Sequence, residues 1–341
     1  MKTSDFDYNL PEELIAQTPL KDRVSSKMMV FDRVSGNIEH KYFYNLIDNL
    51  NEGDVLVFND TKVIPARLYG SKEGGSAVIE ILLLKRLAID EWEILMKPAK
   101  RIKIGGNVIF GNGELTGTVI KEIDDGKRVI KFQFDGVFET ILDKLGNMPL
   151  PPYIKEKLDD KSRYQTVYAK YEGSSAAPTA GLHFTSEYIE KLKEKGIITA
   201  FVTLHVGLGT FKPVSVDDVL EHKMHSEWYS IDAENARIIS LAKKEKRRVI
   251  AVGTTSLRTL EAVAGKYGEI KAASGETDIF IYPGYDFKIA DGLLTNFHLP
   301  KSTLLMLISA LSDKDKILAA YGVAIKNKYR FFSFGDCMLI I

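Results

Sequence analysis

The chain has 341 residues, with 46 Lys and Arg against 46 Asp and Glu, so its formal net charge at pH 7 is +0. This length favours two domains, and an apolar fraction of 45% is enough to build their cores. The zero net charge argues against a general nucleic-acid coat protein, and the single cysteine, Cys337, excludes an internal disulfide and a cysteine-based zinc site.

The first residues have neither the apolar core nor the cleavage site of a signal peptide. The sequence also contains no run of about 18 apolar residues, the length that a membrane-spanning helix needs. We therefore expect a cytoplasmic protein without a membrane segment.

A buried strand is predicted over residues 54–59, and residues 63–135 then contain strand patterns only. The six strand segments are 63–70, 76–87, 91–98, 105–110, 113–123 and 127–134. Short, closely spaced antiparallel strands usually close into a small barrel, because closure removes exposed strand edges. We predict a six-stranded antiparallel β-barrel, inserted as a domain over residues 61–148.

Helix and strand patterns alternate after the barrel. Strands are predicted over 198–204, 249–252 and 278–282, and helices over 138–146, 186–195, 232–246, 302–311 and 313–326, with another beginning at 256. Alternation of this kind predicts an α/β domain, built from both ends of the chain over residues 1–60 and 149–341.

Polar residues flanked by Gly or Pro occur where strands of the α/β domain end, the edge at which open α/β sheets bind ligands. The segment 173–185 combines small residues with Thr179, Gly181 and His183 ahead of a helix N-terminus. Such a segment favours close approach of an anionic ligand, and a tight loop with an N-cap explains it equally well.

The segment 203–211 contains His205, Gly207 and Gly209 after a strand. It lacks the third glycine of a dinucleotide fingerprint, so we reject that function. A histidine at a strand end, taken alone, is more often a core residue than a catalytic one.

The segment 222–227 contains His222, His225 and Glu227. These residues match no established zinc spacing, which favours acid–base or hydroxyl-binding roles over a metal site. A solvated polar strand is the alternative.

Two further strand ends carry hydroxyl, amide and cationic groups. The strand at 249–252 leads through Thr255 and Ser256 to Arg258, a pattern typical of an anion or ribose cradle or of a simple helix cap. The segment 291–303 places Asn296 and His298 before an apolar helix.

Two basic runs stand out in a chain without net charge. One contains Lys97, Lys100, Arg101 and Lys103, and the other covers residues 243–248. Such runs are usually solvated faces, but they are also suited to contact nucleic-acid phosphates.

Taken together and in this order, the segments resemble one family, the S-adenosylmethionine:tRNA ribosyltransferase-isomerases of queuosine synthesis. The matching stretches are FNDTKVIPARL, GNMPLPPYI, RYQTVYA, AAPTAGLHF, TLHVGLGTFKPV, HKMHSE, AVGTTSLRTLE, DGLLTNFHLPKSTLLM and YRFFSFGDCMLI. They extend from near the N-terminus to the last residues, so the resemblance covers the whole chain.

The resemblance implies a fold, a reaction and two substrates. The fold is an α/β domain with a small antiparallel barrel. The ribosyl group of S-adenosylmethionine, a cosubstrate, is transferred to 7-aminomethyl-7-deazaguanine at the wobble position of tRNA and isomerised. The products are epoxyqueuosine-tRNA, adenine and methionine. We expect no metal and a monomer.

The chemistry of this reaction selects candidates among the clusters. The sulfonium acidifies the C5′ hydrogens of the donor, so a base is needed, and adenine leaves well only when protonated. The candidate acids and bases are His183, His205, Glu227 and His298. The candidates for substrate binding are Thr179, Gly181, Gly207, Gly209, Thr255, Ser256, Arg258 and Asn296, with Asp60, Arg67 and Asp336 as weaker ones. Lys97, Lys100, Arg101 and Lys103 are the candidates for tRNA contact.

Two other functions remain open from the residues alone. A metal-dependent hydrolase would use His222, His225 and Glu227. A non-enzymatic RNA-binding protein would use the barrel, although the barrel sequence lacks the interleaved exposed aromatics of a stacking platform.

Overall fold

The computed structural model describes residues 1–123, 127–207 and 214–341, which form two compact units. The first, called here the sheet unit, comprises Met1–Thr61, Pro151–Tyr171 and Ala177–Ile341. The second, the barrel unit, comprises Lys62–Leu150 and Glu172–Ala176. The barrel unit is therefore made of one long insertion and a short segment that follows it in the chain.

The elements are numbered in chain order. The strands are β1 (Lys27–Phe31), β2 (Ile38–Tyr42), β3 (Val55–Asn59), β4 (Thr61–Val63), β5 (Arg67–Lys72), β6 (Val78–Arg86), β7 (Glu91–Lys97), β8 (Asn107–Phe110), β9 (Leu115–Glu122), β10 (Lys127–Phe134), β11 (Tyr171–Ser174), β12 (Ile198–Leu204), β13 (Glu227–Ile231), β14 (Val249–Val252), β15 (Ala273–Thr277), β16 (Gly292–Asn296) and β17 (Cys337–Ile340). The α-helices are α1 (Phe138–Leu145), α2 (Ser186–Glu194), α3 (Ala233–Lys244), α4 (Thr254–Tyr267), α5 (Thr303–Ala310) and α6 (Lys314–Lys326).

A nine-stranded mixed sheet forms the centre of the sheet unit, in the order β15-β13-β12-β3-β14-β16-β17-β1-β2. Strands β12, β3, β14 and β16 are parallel to one another, and β17 is antiparallel to β16. Every residue of β3 and β14 is buried, so both strands are apolar on both faces, as expected for strands covered by helices on each side. Core residues on one side include Phe58, Phe184 and Leu192.

Six strands of the barrel unit close in the order β10-β7-β6-β5-β8-β9. Their inward positions are filled by buried apolar side chains such as Ile81, Ile94 and Ile130, so the barrel interior is a packed core. At Gly70 a β-carbon would lie 2.6 Å from the carbonyl oxygen of Ile109, so this crossing requires glycine. Strands β4 and β11 form a separate two-stranded sheet.

The predicted fold class, an α/β domain with an inserted six-stranded antiparallel barrel, is confirmed. The strand predicted over 278–282 is wrong, because the strand lies at Ala273–Thr277 and pairs with β13. Residues 279–282 pair with no other described strand, yet Ile281 packs into the core and is only 2% exposed. A high β-propensity reflects how well a side chain packs when it is buried, and such packing does not require hydrogen bonding to a neighbouring strand.

Helix α4 begins at Thr254, with Gly253 as the N-cap and no side chain capping it. The prediction of a helix beginning at 256 was therefore two residues late. Gly253 has a φ of 86°, a conformation that glycine adopts at no steric cost. In the part of the chain that the structure describes, no helix has the length and apolarity needed to cross a bilayer.

Candidate active site at the carboxyl edge of the sheet

Most of the candidate site residues lie along one edge of the nine-stranded sheet. The parallel strands β3, β12, β14 and β16 end there, at Asn59, Leu204, Val252 and Asn296. The antiparallel strand β13 begins there, since Leu204 is opposite Tyr229 and Glu227 lies beyond it. Strands β17 and β1 also begin at this edge, because Cys337 is opposite both Asn296 and Met28. Residues far apart in sequence are thus collected on one edge.

His183 lies in a buried cluster at β16 and β1. Its Nδ1 is 2.7 Å from the Ser26 hydroxyl, and its Nε2 is 3.3 Å from the amide nitrogen of Asn296. The amide nitrogen of Asn296 also donates to the backbone carbonyl of Asp336 at 3.4 Å. The amide oxygen of Asn296 accepts from the Thr179 hydroxyl at 2.8 Å. The amide thus presents N–H to Nε2, which assigns the proton of neutral His183 to Nδ1.

The electrostatic surroundings keep His183 neutral. Burial, with smaller contributions from the guanidinium groups of Arg23 and Arg330, lowers the pKa of His183 to about 4. A histidine that is neutral at pH 7 keeps a lone pair on one ring nitrogen, here Nε2. This lone pair accepts from Asn296 at 3.3 Å, so His183 can act as a general base when the substrate C–H replaces that long hydrogen bond.

His205 lies at the other end of the edge, directly after β12. Its Nδ1 is 2.8 Å from the Thr61 hydroxyl, and its ring stacks on Trp228 with centroids 4.9 Å apart. Burial lowers the pKa of His205 to about 4, so this imidazole is neutral as well. Three strand spacings separate β12 from β16, so the ends of these two strands lie roughly 14 Å apart along the edge.

Glu227 and Arg258 form a buried ion pair beside the His205 group. The side chains are 4% and 2% exposed, and Arg258 Nη1 donates to Glu227 Oε2. The other carboxylate oxygen accepts from the backbone N–H of Gly207 at 3.1 Å. Arg258, which we predicted to hold a carboxylate of the donor, therefore holds a carboxylate of the protein. Its Nε and Nη2 are buried without a hydrogen-bond partner among the described residues.

His298 is buried, at 9% exposure, and its contacts lie within the protein. Its Nε2 is 2.8 Å from the Thr295 hydroxyl, and its backbone N–H donates to Tyr321 while its carbonyl accepts from Tyr8. Burial lowers the pKa of His298 to about 3. These contacts place His298 in the packing between the start of the chain and α6.

Several other candidates make contacts within the protein. Asp60 accepts from the Thr203 hydroxyl at 2.7 Å, and burial raises the pKa of its carboxyl group. Asp336 accepts from the backbone N–H groups of Lys27 and Arg330, and burial raises its pKa too. Ser256 donates to the carbonyl of Val252, the last residue of β14.

The candidate glycines differ in their surroundings. A β-carbon at Gly181 would lie 1.9 Å from the Tyr168 hydroxyl oxygen, so packing alone explains this glycine. Among the described residues, a β-carbon at Gly207 would meet nothing within 4 Å, so packing against them does not explain this glycine. Thr255 lies next to Gly253 in the first turn of α4. Gly209 lies outside the described residues.

The remaining candidates lie in the barrel unit. Arg67, at the start of β5, is 3.5 Å from the carboxylate of Glu80 and donates to the carbonyl of Leu150. The four predicted tRNA contacts, Lys97, Lys100, Arg101 and Lys103, are all exposed at and after the end of β7. None of the four forms an ion pair with another described residue.

The basic run at 243–248 is different. Lys243 pairs with Asp291 at 2.8 Å, Arg247 with Glu245 at 2.7 Å, and Arg248 with Asp54. These ion pairs fix the turns at the amino edge of the sheet, so much of the positive charge of this run is compensated within the protein.

No group of three or more His, Cys, Asp or Glu side chains within the described ranges is arranged to hold a metal ion. Glu227 is bound to Arg258, and His222 packs edge-on against Phe280 with ring centroids 5.3 Å apart. Two of the three residues proposed for a metal-dependent hydrolase are thus engaged in other contacts.

The sequence reasoning missed Arg23, Ser26 and Arg163. Together with His183 they line a cavity of about 30 Å³ in the sheet unit, which none of the other three candidate acids and bases lines. Ser26 lies just before β1, which pairs with β17 some 300 residues along the chain, and its hydroxyl is 2.7 Å from Nδ1 of His183. No local signal reveals such a pairing.

Comparison with known proteins gives a consistent result over the whole length. The chain matches the family model described as "Queuosine biosynthesis protein" over residues 3–340. The S-adenosylmethionine:tRNA ribosyltransferase-isomerase of Clostridioides difficile (strain 630) is 60% identical over 340 residues, covering 100% of both chains. The protein of the same name from Caldanaerobacter subterraneus subsp. tengcongensis is 59% identical over 341 residues, again covering 100% of both.

A solved structure also resembles the chain. The crystal structure of an S-adenosylmethionine tRNA ribosyltransferase from Thermotoga maritima aligns with a TM-score of 0.58 at 40% sequence identity. The alignment covers 99% of this chain and 100% of that one, so both units have counterparts there.

Proposed function

Because the chain belongs to the queuosine biosynthesis protein family, we propose that it is an S-adenosylmethionine:tRNA ribosyltransferase-isomerase. The enzyme transfers the ribosyl group of S-adenosylmethionine to 7-aminomethyl-7-deazaguanine at the wobble position of tRNA and isomerises it. Adenine and methionine leave, and epoxyqueuosine-tRNA is formed. The observation that carries the proposal is a relative of this name at 60% identity over the full length.

The geometry supports this reaction through His183. Loss of a C5′ hydrogen next to a sulfonium requires an unprotonated base, which for a histidine is the neutral imidazole, and a cationic substrate disfavours a protonated imidazole still further. His183 has a lowered pKa, an assigned tautomer and two side chains, Ser26 and Asn296, that fix its ring. We assign His183 as the base.

The leaving adenine needs a proton, which a histidine that is neutral at pH 7 supplies poorly. The pKa of Asp60 is shifted in the opposite direction, since burial raises the pKa of its carboxyl group and so favours its protonated form. Paired groups whose pKa values are moved in opposite directions are typical of acid and base in one site. We therefore assign Asp60 as the acid, with the stacked rings of His205 and Trp228 beside it as the surface that receives adenine.

The other candidates hold or shape the site in this proposal. Thr179 and Asn296 fix His183, and the turn at Gly253 and Thr255 lies between the two histidine groups, where the ribose would bind. The Glu227–Arg258 pair positions the backbone at Gly207, and His298 positions Thr295. No metal takes part in any of these roles.

We assign tRNA binding to the barrel unit through Lys97, Lys100, Arg101 and Lys103, which are exposed and free of ion pairs within the described residues. Arg67 of the same unit is a further candidate for substrate binding. We also propose that the enzyme works in the cytoplasm, where tRNA is modified, and as a monomer, which the molecular mass in solution would check.

The test is release of adenine. The purified protein is incubated with S-adenosylmethionine and tRNA carrying the precursor base, and free adenine and modified tRNA are quantified. We expect adenine in an amount equal to the tRNA modified, and none with tRNA that carries guanine at the wobble position. Methyl transfer to tRNA, or adenine release that does not depend on the precursor base, would contradict the proposal.

A further inference from the structure

A small cavity opens next to His183 in the sheet unit. It is about 30 Å³, room for roughly two water-sized groups. Its lining residues are Pro19, Leu20, Arg23, Ser26, Arg163, Leu182, His183, Ser333, Phe334 and Gly335. Two of these side chains are guanidinium groups, so a small cavity holds two positive charges beside the base.

Backbone carbonyls hold both guanidinium groups in place. Arg23 donates to the carbonyls of Gln165 and Leu182, each at 3.1 Å. Arg163 donates to those of Leu20 at 2.6 Å and Lys21 at 3.2 Å. Carbonyl groups fix the orientation of a guanidinium group but carry no net charge, so these contacts leave its positive charge uncompensated.

Neither arginine lies within ion-pair distance of a carboxylate among the described residues, in contrast to the buried Arg258 with its partner Glu227. Nε of Arg163 is buried and has no hydrogen-bond partner among the described residues. Burial and the neighbouring Arg163 both lower the pKa of Arg23, so the two cations repel each other, and the exposed carboxylate of Asp160 only partly offsets this. Arginine is well suited to bind a planar oxyanion through two parallel N–H groups.

We infer that Arg23 and Arg163 form an oxyanion site beside His183, and that its ligand is the α-carboxylate of the methionine end of the ribosyl donor. The second part rests on the proposed function. The cavity is adjacent to the assigned base, and in the donor the sulfonium and C5′ lie between the carboxylate and the ribose. Arg258 is the less suitable partner, because the carboxylate of Glu227 already compensates its positive charge.

This site sets the direction of the donor along the sheet edge. With its carboxylate at Arg23 and Arg163, C5′ lies towards His183, and the adenosyl part extends over the end of β14 towards His205. A phosphate of the tRNA backbone is the other oxyanion that the reaction supplies, and the experiment below separates the two sources.

The test uses the variant Arg163→Gln in the full-length protein. Binding of S-adenosylmethionine is measured directly by calorimetry, without turnover, and tRNA binding is measured over a range of salt concentrations. Loss of one charged hydrogen-bonding partner should weaken donor binding by roughly 10- to 100-fold and leave tRNA binding unchanged. Arg163→Lys, which keeps the charge without the planar fork, should fall between wild type and Arg163→Gln.

Arg247→Gln is the matched control, because Arg247 also donates to a backbone carbonyl, that of Gly53 at 2.7 Å, but lies at the amino edge of the sheet. Its donor affinity should equal that of wild type. Thermal unfolding of each variant is compared with wild type, so that a loss of structure is recognised. Inorganic sulfate gives a second measurement on the wild type. At constant ionic strength it should compete with the donor in wild type and not in Arg163→Gln.

The outcomes separate the claims. Unchanged donor binding in folded Arg163→Gln, with a tRNA salt dependence reduced by about one unit of slope, would assign the site to a tRNA phosphate and overturn the carboxylate assignment. Unchanged binding of both substrates, with no competition by sulfate, would overturn the oxyanion site itself. If wild type binds no S-adenosylmethionine at all, the proposed function fails first.

Discussion

The two ends of the carboxyl edge of the sheet carry similar groups in different surroundings. At one end, His183 is 6% exposed, has both ring nitrogens engaged, and shares a cavity with two arginines that have no ion-pair partner among the described residues. At the other end, His205 is half-buried, stacks on the exposed Trp228, and lies near an arginine that is already paired with Glu227. Both imidazoles have a pKa lowered to about 4.

The difference shows how one edge can provide two functions. A base must be held in one orientation and kept neutral, which is what burial, Ser26 and Asn296 do for His183. A surface that receives a flat leaving group needs exposed ring area, which His205 and Trp228 offer. Each of the following predictions asks whether the two ends differ as this assignment requires.

Replacing the two histidines separately gives the largest expected contrast. His183→Gln should lower kcat by about 10²- to 10⁴-fold, the usual contribution of a positioned base, while donor affinity changes little. His205→Gln should lower kcat by only about tenfold, since a stacking partner is lost rather than a proton acceptor. Single-turnover adenine release and calorimetric donor binding measure both quantities. Equal losses of kcat in the two variants would remove the distinction.

The ion pair beside His205 should matter mainly for stability. Glu227→Gln leaves the buried charge of Arg258 without its partner, and breaking such a pair costs about 3–5 kcal/mol of unfolding free energy. Denaturant unfolding measures this loss. The double variant Glu227→Leu with Arg258→Met should recover most of it, because neither charge then remains buried. A single variant as stable as wild type would show that the pair is solvated.

The pH dependence follows from the lowered pKa values. His183 titrates near pH 4 in the folded protein, against 6.5 for an ordinary histidine, so the folded state binds fewer protons than the unfolded state between these values. The stability contributed by neutral His183 is present above about pH 6.5 and is lost as the pH falls towards 4. The acid limb of kcat should likewise lie near pH 4. A limb near 6.5 would show that His183 is not the base or is not buried in solution.

Asn296→Asp sharpens the same comparison. The new carboxylate, next to Nε2 of His183, favours the charged imidazole and should raise its pKa by about 1–3 units. The acid limb of kcat should move to higher pH by a similar amount, whereas Asn59→Asp, at the end of β3, should not move it. An unmoved limb in folded Asn296→Asp would assign the limb to another group.

The two basic runs give the smallest expected effect. Lys97→Gln with Lys100→Gln should reduce the slope of tRNA affinity against salt by about two units on logarithmic axes. The matched control, Lys244→Gln with Lys246→Asn, removes two exposed lysines from the other run and should leave the slope unchanged. The reverse result would place the tRNA on the 243–248 run.

Hydrophobic patterns within short segments predicted the strands whose position depends on neighbouring residues in the sequence. Alternating apolar residues between glycine turns located all six barrel strands, and apolar runs located β3, β12 and β14. The strand at Ala273–Thr277 was predicted at the wrong position, because its sequence, ASGET, has weak strand propensity. This strand forms through its pairing with β13. Strands β1 and β17 were missed because their pairing joins the two ends of the chain.

The site was predictable to the same degree. His183, His205 and Asn296 lie at strand ends or in segments beside them, and such ends meet at one edge of a parallel sheet. Arg23 and Arg163 have no such position, and only the folded chain brings them to His183. The pairing of Arg258 with Glu227 was not visible either, since an arginine in a hydroxyl-rich turn is equally suited to an external carboxylate.

The most direct test of the account is single-turnover adenine release by His183→Gln at saturating S-adenosylmethionine and precursor tRNA. The account predicts that the variant binds the donor within about threefold of wild type yet releases adenine about 10²- to 10⁴-fold more slowly. Release at the wild-type rate by a folded variant that binds the donor would contradict the assignment of His183 as the base.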